Sequence, residues 1–314
     1  MQPPKVSVVI PTYNYGHFLD ETIQSVLDQT FTDFELIIVD NRSTDNTVEV
    51  VKKYLADSRV SFYVNETNVG LVGNWNKCLE YATGEYLKFL CADDKFAPQL
   101  LEKFVAIMEQ YPNVSIVGSY NEVFGGYGFC RIGPFKGLTN GREVREVLLG
   151  SWNKLRNPSV VMFRMSAVRK AGKFNPKLFK LTDREYYVRL LTLGDCYIIP
   201  ESLSYVRMHP NTQSAKVRNK KHELILERYW YMTSVKEHGM PKTNPDDEKV
   251  DADIKKKAIR CAAVMYEMLP KLYKKQNRKI FKTAYQIGSS EGVLFTPLLH
   301  YFQPKYIKQL ISKK

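Results

Sequence analysis

The chain has 314 residues, 44% hydrophobic and 25% charged, enough apolar content for one large core or two smaller ones. No apolar run reaches the roughly 18 residues of a membrane-spanning helix, Met1–Lys5 leads straight into a strand-like run, so no leader is expected, and five scattered cysteines without metal-type spacing read as reduced thiols. Nearly all of the +13 net charge falls in residues 215–314, which hold 22 Lys/Arg against 10 Asp/Glu, pointing to an anionic partner surface or to a solvated helical face.

In chain order, Val6–Ile10 predicts a strand, His17–Gln29 a helix, Phe34–Val39 a strand and Thr44–Leu55 a helix. Val60–Val64 then reads as strand, Val72–Ala82 as helix, Tyr86–Leu90 as strand, Pro98–Tyr111 as helix and Val114–Gly118 as a short strand. Short strands alternating with helices indicate βαβ units and a mostly parallel sheet. Ligands of such sheets bind beyond the carboxyl ends of the strands. Those ends carry Pro11-Thr12-Tyr13-Asn14, Asp40-Asn41 and Cys91-Ala92-Asp93-Asp94. Neither G-x-G-x-x-G nor G-x-x-x-x-G-K-[ST] is present, so the dinucleotide fingerprint and the P-loop are excluded. Paired carboxylates suit a hard divalent cation that neutralises phosphates, although a turn or helix cap ahead of Pro98 also explains them.

Residues 124–180 begin rich in loops and glycine, and regularity resumes with strand-like Ser159–Met165 and the following Ser166–Gly172. Thr182–Leu193 has helical spacing, and Ile198–Ile199 and Leu203–Met208 read as two strands. From Ala215 the pattern is helical and basic. Ile254, Ala258, Cys261, Met265, Met268 and Leu272 form a heptad-like seam, packed on its own domain or paired as a coiled coil. The tail from Gly292 mixes Leu, Phe and Tyr with lysines, as an interfacial segment does.

VSVVIPTYN (6–14), IIVDNRSTDNT (37–47), NVGLVGNWN (68–76), ATGEYLKFLCADD (82–94) and LTDREYYVRLL (181–191), in that order, resemble a family 2 glycosyltransferase over about residues 5–214. The resemblance implies a GT-A fold (a Rossmann-like mixed α/β sheet with helices on both faces), a nucleoside-diphosphate sugar donor, Mn²⁺ or Mg²⁺, and inversion at the anomeric carbon. It implies a catalytic domain at 1–214, with a nucleotide-binding half to about 120 and an acceptor half after it. Residues 215–314 would be a helical region for membrane association or dimerisation.

By the same resemblance, Pro11, Thr12, Tyr13 and Asn14 face the nucleotide, as do Asn68, Gly70 and Asn76. Asp40 would accept a hydrogen bond from the base, uracil being favoured, because a carboxylate selects an imide N–H; an Asx turn before Ser43 is the alternative. The family often has a second Asp where this chain has Asn41. Asp94 matches the metal ligand and Asp93 the residue on the ribose or donor sugar. Cys91, where the family's commonest version has Asp, reads as the buried end of the strand. Asp183 matches the general base that deprotonates the acceptor hydroxyl, with Glu185 as fallback. Thr182-x-x-Glu185 also spells a capping box.

Arg207 would approach the diphosphate, and His209 would complete the metal shell unless it is an ordinary core or surface histidine. Asn157 and Ser159 lie where the acceptor side is usually built. The expected activity is transfer of a sugar to a hydroxyl of a glycan or lipid-linked glycan in bacterial surface polysaccharide synthesis. The enzyme would be cytoplasmic, peripheral on the inner face of the plasma membrane and docked on anionic lipid. The alternatives are a nucleotide-sugar-binding relative without turnover and a basic nucleic-acid-binding protein, the latter disfavoured because residues 1–214 are charge-balanced and carry no nucleic-acid motif.

Overall fold

A computed structural model describes residues 3–126, 128–150, 153–210, 212, 220–238, 247–268, 275–294 and 296–297. The chain divides into two units, Met1–Thr212 and Gln213–Lys314.

In the first unit, β1 (Val6–Thr12), β2 (Phe34–Asp40), β3 (Val60–Val64) and β4 (Tyr86–Phe89) form a parallel block in the order β3-β2-β1-β4. The apolar runs of β1, β2 and β4 are buried on both faces, as central parallel strands require, while β3 at the edge leaves Tyr63 and Val64 exposed. Helices α1 (Gly16–Leu27), α2 (Thr47–Lys52) and α3 (Gly70–Tyr81) supply the crossovers. α1 turns Leu19, Ile23 and Val26 into a core shared with Val8, Ile10, Leu36 and Ile38. Register places Thr12 opposite Asp40, so the loops after β1 and β2 emerge side by side.

Beyond β4 the sheet is mixed rather than mostly parallel. β9 (Val161–Arg164) is antiparallel to both β4 and β6 (Val114–Phe124), and β10 (Asp195–Arg207) runs parallel to β6. The short β5 (Lys95–Phe96) and β8 (Gly137–Thr139) pair with β10, and β7 (Phe129–Arg131) pairs with β6. The two apolar runs at 198–208 are one strand, whose register shifts between Ile199 and Ser204. Pro200 sits in that break and has no N–H to offer a ladder.

Three helices complete this part of the chain. α4 (Leu100–Gln110) precedes β6, α5 (Gly141–Gly150) lies within the stretch that reads as loop, and α6 (Met165–Ala171) follows β9. Gly141 opens α5 for a steric reason: a Cβ there would lie 2.2 Å from the Gly194 carbonyl oxygen.

α7 (Thr182–Leu190) corrects the capping-box reading. Its N-cap is Leu181, with no side-chain cap, and Thr182 is buried with its hydroxyl unpartnered. Glu185 instead turns inward to Arg189, with both carboxylate oxygens within 2.9 Å of guanidinium nitrogens.

In the second unit, α8 (Lys221–His238), α9 (Asp247–Met268) and α10 (Lys275–Ser290) pack together. Ile254, Ala258, Cys261, Met265 and Met268 are buried, so the seam packs within its own unit. Leu272, most of the tail and Gln213-Ser214 lie outside the described residues. Among the described residues, no helix is long and apolar enough to cross a membrane.

Candidate active site

The loop after β1 turns back through Asn14, whose φ of +57° is tolerated by asparagine. Its N–H donates to Ser43 Oγ (2.8 Å) and its Oδ1 accepts from the Thr44 N–H (2.8 Å), clipping the first two strand-end loops together. Tyr13 is exposed at the rim and Pro11 half-buried.

Asp40 is fully buried and makes the Asx turn, accepting from the Ser43 N–H (3.1 and 3.2 Å) and hydroxyl. A base could reach this carboxylate only if the Ser43 loop moved.

Asn41 explains its own departure from the family pattern. Its amide nitrogen donates to Asn68 Oδ1 (2.9 Å) and the Gly70 carbonyl (3.2 Å), while its oxygen accepts from Asn65 and the Val69 N–H. A carboxylate could not make the first two bonds. Asn74 extends this network to Asn65 and the Val39 carbonyl, a role the sequence reading missed. Asn68 also accepts from the Gly70 N–H, where φ is +77°.

Asn76, expected to face the nucleotide, is corrected to a tie between distant segments. Its amide donates to the Phe174 carbonyl (3.1 Å) and accepts from the Phe174 N–H (2.8 Å). Asn76→Ala should therefore cost about 1–3 kcal/mol in urea unfolding and leave nucleotide affinity unchanged. A variant that loses affinity at full stability would contradict this placement.

The two acids after β4 meet different surroundings. Asp94 is 2% exposed. Its Oδ1 accepts from the Arg207 N–H (2.8 Å), and its Oδ2 from Asn157 Nδ2 (2.9 Å) and Ser159 Oγ (2.6 Å). Asp93, in the same turn, has a side chain only 14% exposed, with Oδ2 3.0 Å from His209 Nε2. Burial, and then the adjacent Asp93 charge, push the Asp94 carboxyl up to about 7.

Asn157 and Ser159 consequently lie not on an acceptor surface but against Asp94. Ser159 is fully buried, and its hydroxyl also accepts the Cys91 N–H (2.9 Å). Beneath it lies Lys88, the lone lysine of β4, which donates from a fully buried position to the carbonyls of Ser159 (2.6 Å) and Val161 (3.1 Å). Burial pushes the Lys88 amine well down.

Arg207, expected to approach the diphosphate, is engaged beside the acidic pair. Its guanidinium lies between the rings of Phe18 (4.7 Å) and Phe124 (4.2 Å), donates to the Asp93 carbonyl (2.9 Å) and pairs with Glu21. His209 packs its ring on Phe18, with centroids 4.9 Å apart.

Asp183 opens α7, half-buried, with Oδ2 accepting from Asn153 Nδ2 (2.9 Å) and Oδ1 from the Arg184 N–H (2.6 Å). Asn153 had no sequence signal; it also donates to the Arg156 carbonyl (2.7 Å). One short segment therefore carries both partners: Asn153 for Asp183 and Asn157 for Asp94, their Cα atoms at most about 14 Å apart. Glu185, wholly buried on Arg189, has no path to a substrate hydroxyl.

For a cation, Cys91 Sγ and one carboxylate oxygen each of Asp93 and Asp94 lie within 4.8 Å of one another. Burial and both acids push the Cys91 thiol well up, so it stays protonated and is a poor ligand. The carboxylates, with His209 beside them, fit a hard divalent ion.

Residues 7–172 match the profile of Glycosyl transferase family 2. The putative glycosyltransferase EpsE of Bacillus subtilis (strain 168) is 39% identical over 127 residues, 40% of this chain and 46% of that protein. The UDP-Glc:alpha-D-GlcNAc-diphosphoundecaprenol beta-1,3-glucosyltransferase WfgD of Escherichia coli is 29% identical over 72% of this chain and 83% of its own. Among solved structures, S. aureus TarS 1-349 in complex with UDP-GlcNAc superposes with a TM-score of 0.67 at 18% identity, covering 97% of this chain and 88% of that one.

Proposed function

The chain belongs to glycosyltransferase family 2 and has the GT-A fold, and from that premise we propose that it transfers a sugar from a uridine-diphosphate donor to a hydroxyl of a lipid-linked glycan in surface polysaccharide synthesis. The observation that carries this reading is the pair Asp93–Asp94, set just after β4 at the carboxyl edge of the sheet, with one oxygen of each carboxylate within 4.8 Å of the other and of Cys91 Sγ. The names of the similar proteins WfgD and TuaG, the latter a putative teichuronic acid glycosyltransferase, favour polysaccharide synthesis, and WfgD favours a UDP donor.

Asp94 and Asp93, with His209 as a further ligand, would hold Mn²⁺ or Mg²⁺. Bound there, the ion stabilises negative charge on the departing nucleoside diphosphate. The Arg207 N–H, Asn157 and Ser159 fix the Asp94 carboxylate, which leaves it little rotational freedom to lose on binding. The loop of Thr12, Tyr13 and Asn14 and the Asn41–Asn68–Gly70 network line the nucleotide side. Asp183 takes the proton from the acceptor oxygen, held in orientation by Asn153 and the Arg184 N–H. The acceptor oxygen is itself the nucleophile, so no covalent intermediate forms on the protein. The basic residues after 215 would dock the enzyme on an anionic inner leaflet.

Thermal shift with UDP, GDP, dTDP and CMP, with and without Mn²⁺, tests the donor assignment. UDP should raise Tm only with metal; indifference to all four nucleotides would reject the reading.

A further inference from the structure

Lys88 is a costly residue for its place. It is fully buried in β4, with its amine 4.6 Å from the centre of the Phe96 ring and 5.5 Å from that of Phe104. An apolar side chain would fill the same position without taking an amine out of water. What it would lack is an N–H. The β4–β9 ladder ends where Lys88 pairs with Met162, and just ahead of β9 the chain makes a single turn of 3₁₀ helix, Pro158–Val160. By bonding the carbonyls of Ser159 (2.6 Å) and Val161 (3.1 Å), the amine fastens that turn to β4 where the ladder no longer does. Ser204 Oγ donates to the same Ser159 carbonyl (2.9 Å).

The side chains of this segment reach the acids. Ser159 Oγ and Asn157 Nδ2 both donate to Asp94 Oδ2, and the Ser159 hydroxyl also accepts the Cys91 N–H. Serine has one χ angle, so a displaced Ser159 carbonyl carries its hydroxyl with it. The position of the Lys88 amine is therefore transmitted, through one residue, to the carboxylate that stands within 4.8 Å of an Asp93 oxygen.

We propose that Lys88 is a positioning residue for the cation: it sets the 157–161 turn and, through Ser159 and Asn157, the direction in which the Asp94 carboxylate meets the ion. It touches neither the ion nor the substrate. This rests on reading the acidic pair as the metal site of a glycosyltransferase.

Lys88→Met keeps an apolar stem and removes the donor. In the metal-free protein, amide hydrogen exchange is read at Cys91 and Arg207, whose N–H groups donate to Ser159 Oγ and Asp94 Oδ1. Both should exchange at least tenfold faster in K88M, while the amides of β2 keep the parent's rates. Mn²⁺ titrated calorimetrically into the UDP-saturated full chain should bind roughly tenfold more weakly or worse in K88M. Ser159→Ala should lose a similar factor, and K88M/S159A should lose less than the product of the two, because both act through one hydroxyl. Unchanged exchange at both amides, faster exchange in β2 as well, unchanged Mn²⁺ affinity, or single losses that multiply would each overturn the proposal. Should K88M not fold, S204A, which removes the other donor to the Ser159 carbonyl, replaces it. About threefold weaker Mn²⁺ binding is then expected, and an unchanged affinity would overturn the proposal. If the parent itself binds no Mn²⁺ with UDP, the metal-site reading falls and takes this proposal with it. That result is distinct from failure of the proposal alone, in which parent and K88M bind Mn²⁺ equally.

Discussion

Asp94→Ala is expected to lower turnover roughly a thousandfold and to abolish the Mn²⁺-dependent part of the UDP thermal shift. Two losses combine. On the proposed reading a cation at the leaving diphosphate would lose a carboxylate, and three donors aimed at that carboxylate (the Arg207 N–H, Asn157 and Ser159) are left without an acceptor in a buried place. The second loss destabilises the protein as well, so Asp93→Asn is the necessary comparison: the Asp93 carboxylate meets His209 where the Asp94 carboxylate takes three donors. Asp93→Asn should cost less stability than Asp94→Ala while still weakening metal-dependent UDP binding. Turnover of Asp94→Ala within tenfold of the parent, in a folded protein, would remove this carboxylate from the reaction.

Asp183→Asn is expected to slow transfer by roughly 10²–10⁴ while leaving the affinity for UDP and Mn²⁺ unchanged. The amide keeps the shape of the carboxylate, and its oxygen can still accept from Asn153, at the cost of the second bond, from the Arg184 N–H, which an NH2 group cannot accept. What disappears is the capacity to take a proton from the acceptor. Comparing kcat for transfer with UDP affinity by calorimetry separates these effects. A fall in both together would mean that Asp183 supports the donor pocket and that another group is the base.

The parallel half of the fold was legible because each strand there is a compact run rich in β-branched or aromatic residues and each crossover has its own apolar stripe. The mixed half was not. β9 runs antiparallel between two strands, a relation set by how far-apart segments meet rather than by any local pattern. α5 hid among glycines because Gly141 answers to the carbonyl of Gly194, more than fifty residues away.

Within the candidate site, the acids stood out in the sequence, at the strand ends and at the start of α7, and the partners that hold them did not. Lys88 looks like an interruption of an apolar strand until the carbonyls of residues 159 and 161 are brought over it. Asn157 and Ser159 read as acceptor residues because their segment lies in the acceptor half. Only the fold turns them back towards Asp94. The Thr182–Glu185 spacing misled for the opposite reason: a local motif was overridden by a stronger partner, Arg189, one turn further on.

The segment from Asn153 to Asn157 acts as a ruler. It grips Asp183 through Asn153 at one end and Asp94 through Asn157 at the other, so the spacing of the two carboxylates is tied to its length. On the proposed reading, a one-residue insertion there would leave both acids intact and move the base relative to the donor. Such an enzyme should still bind UDP with metal and transfer the sugar more slowly.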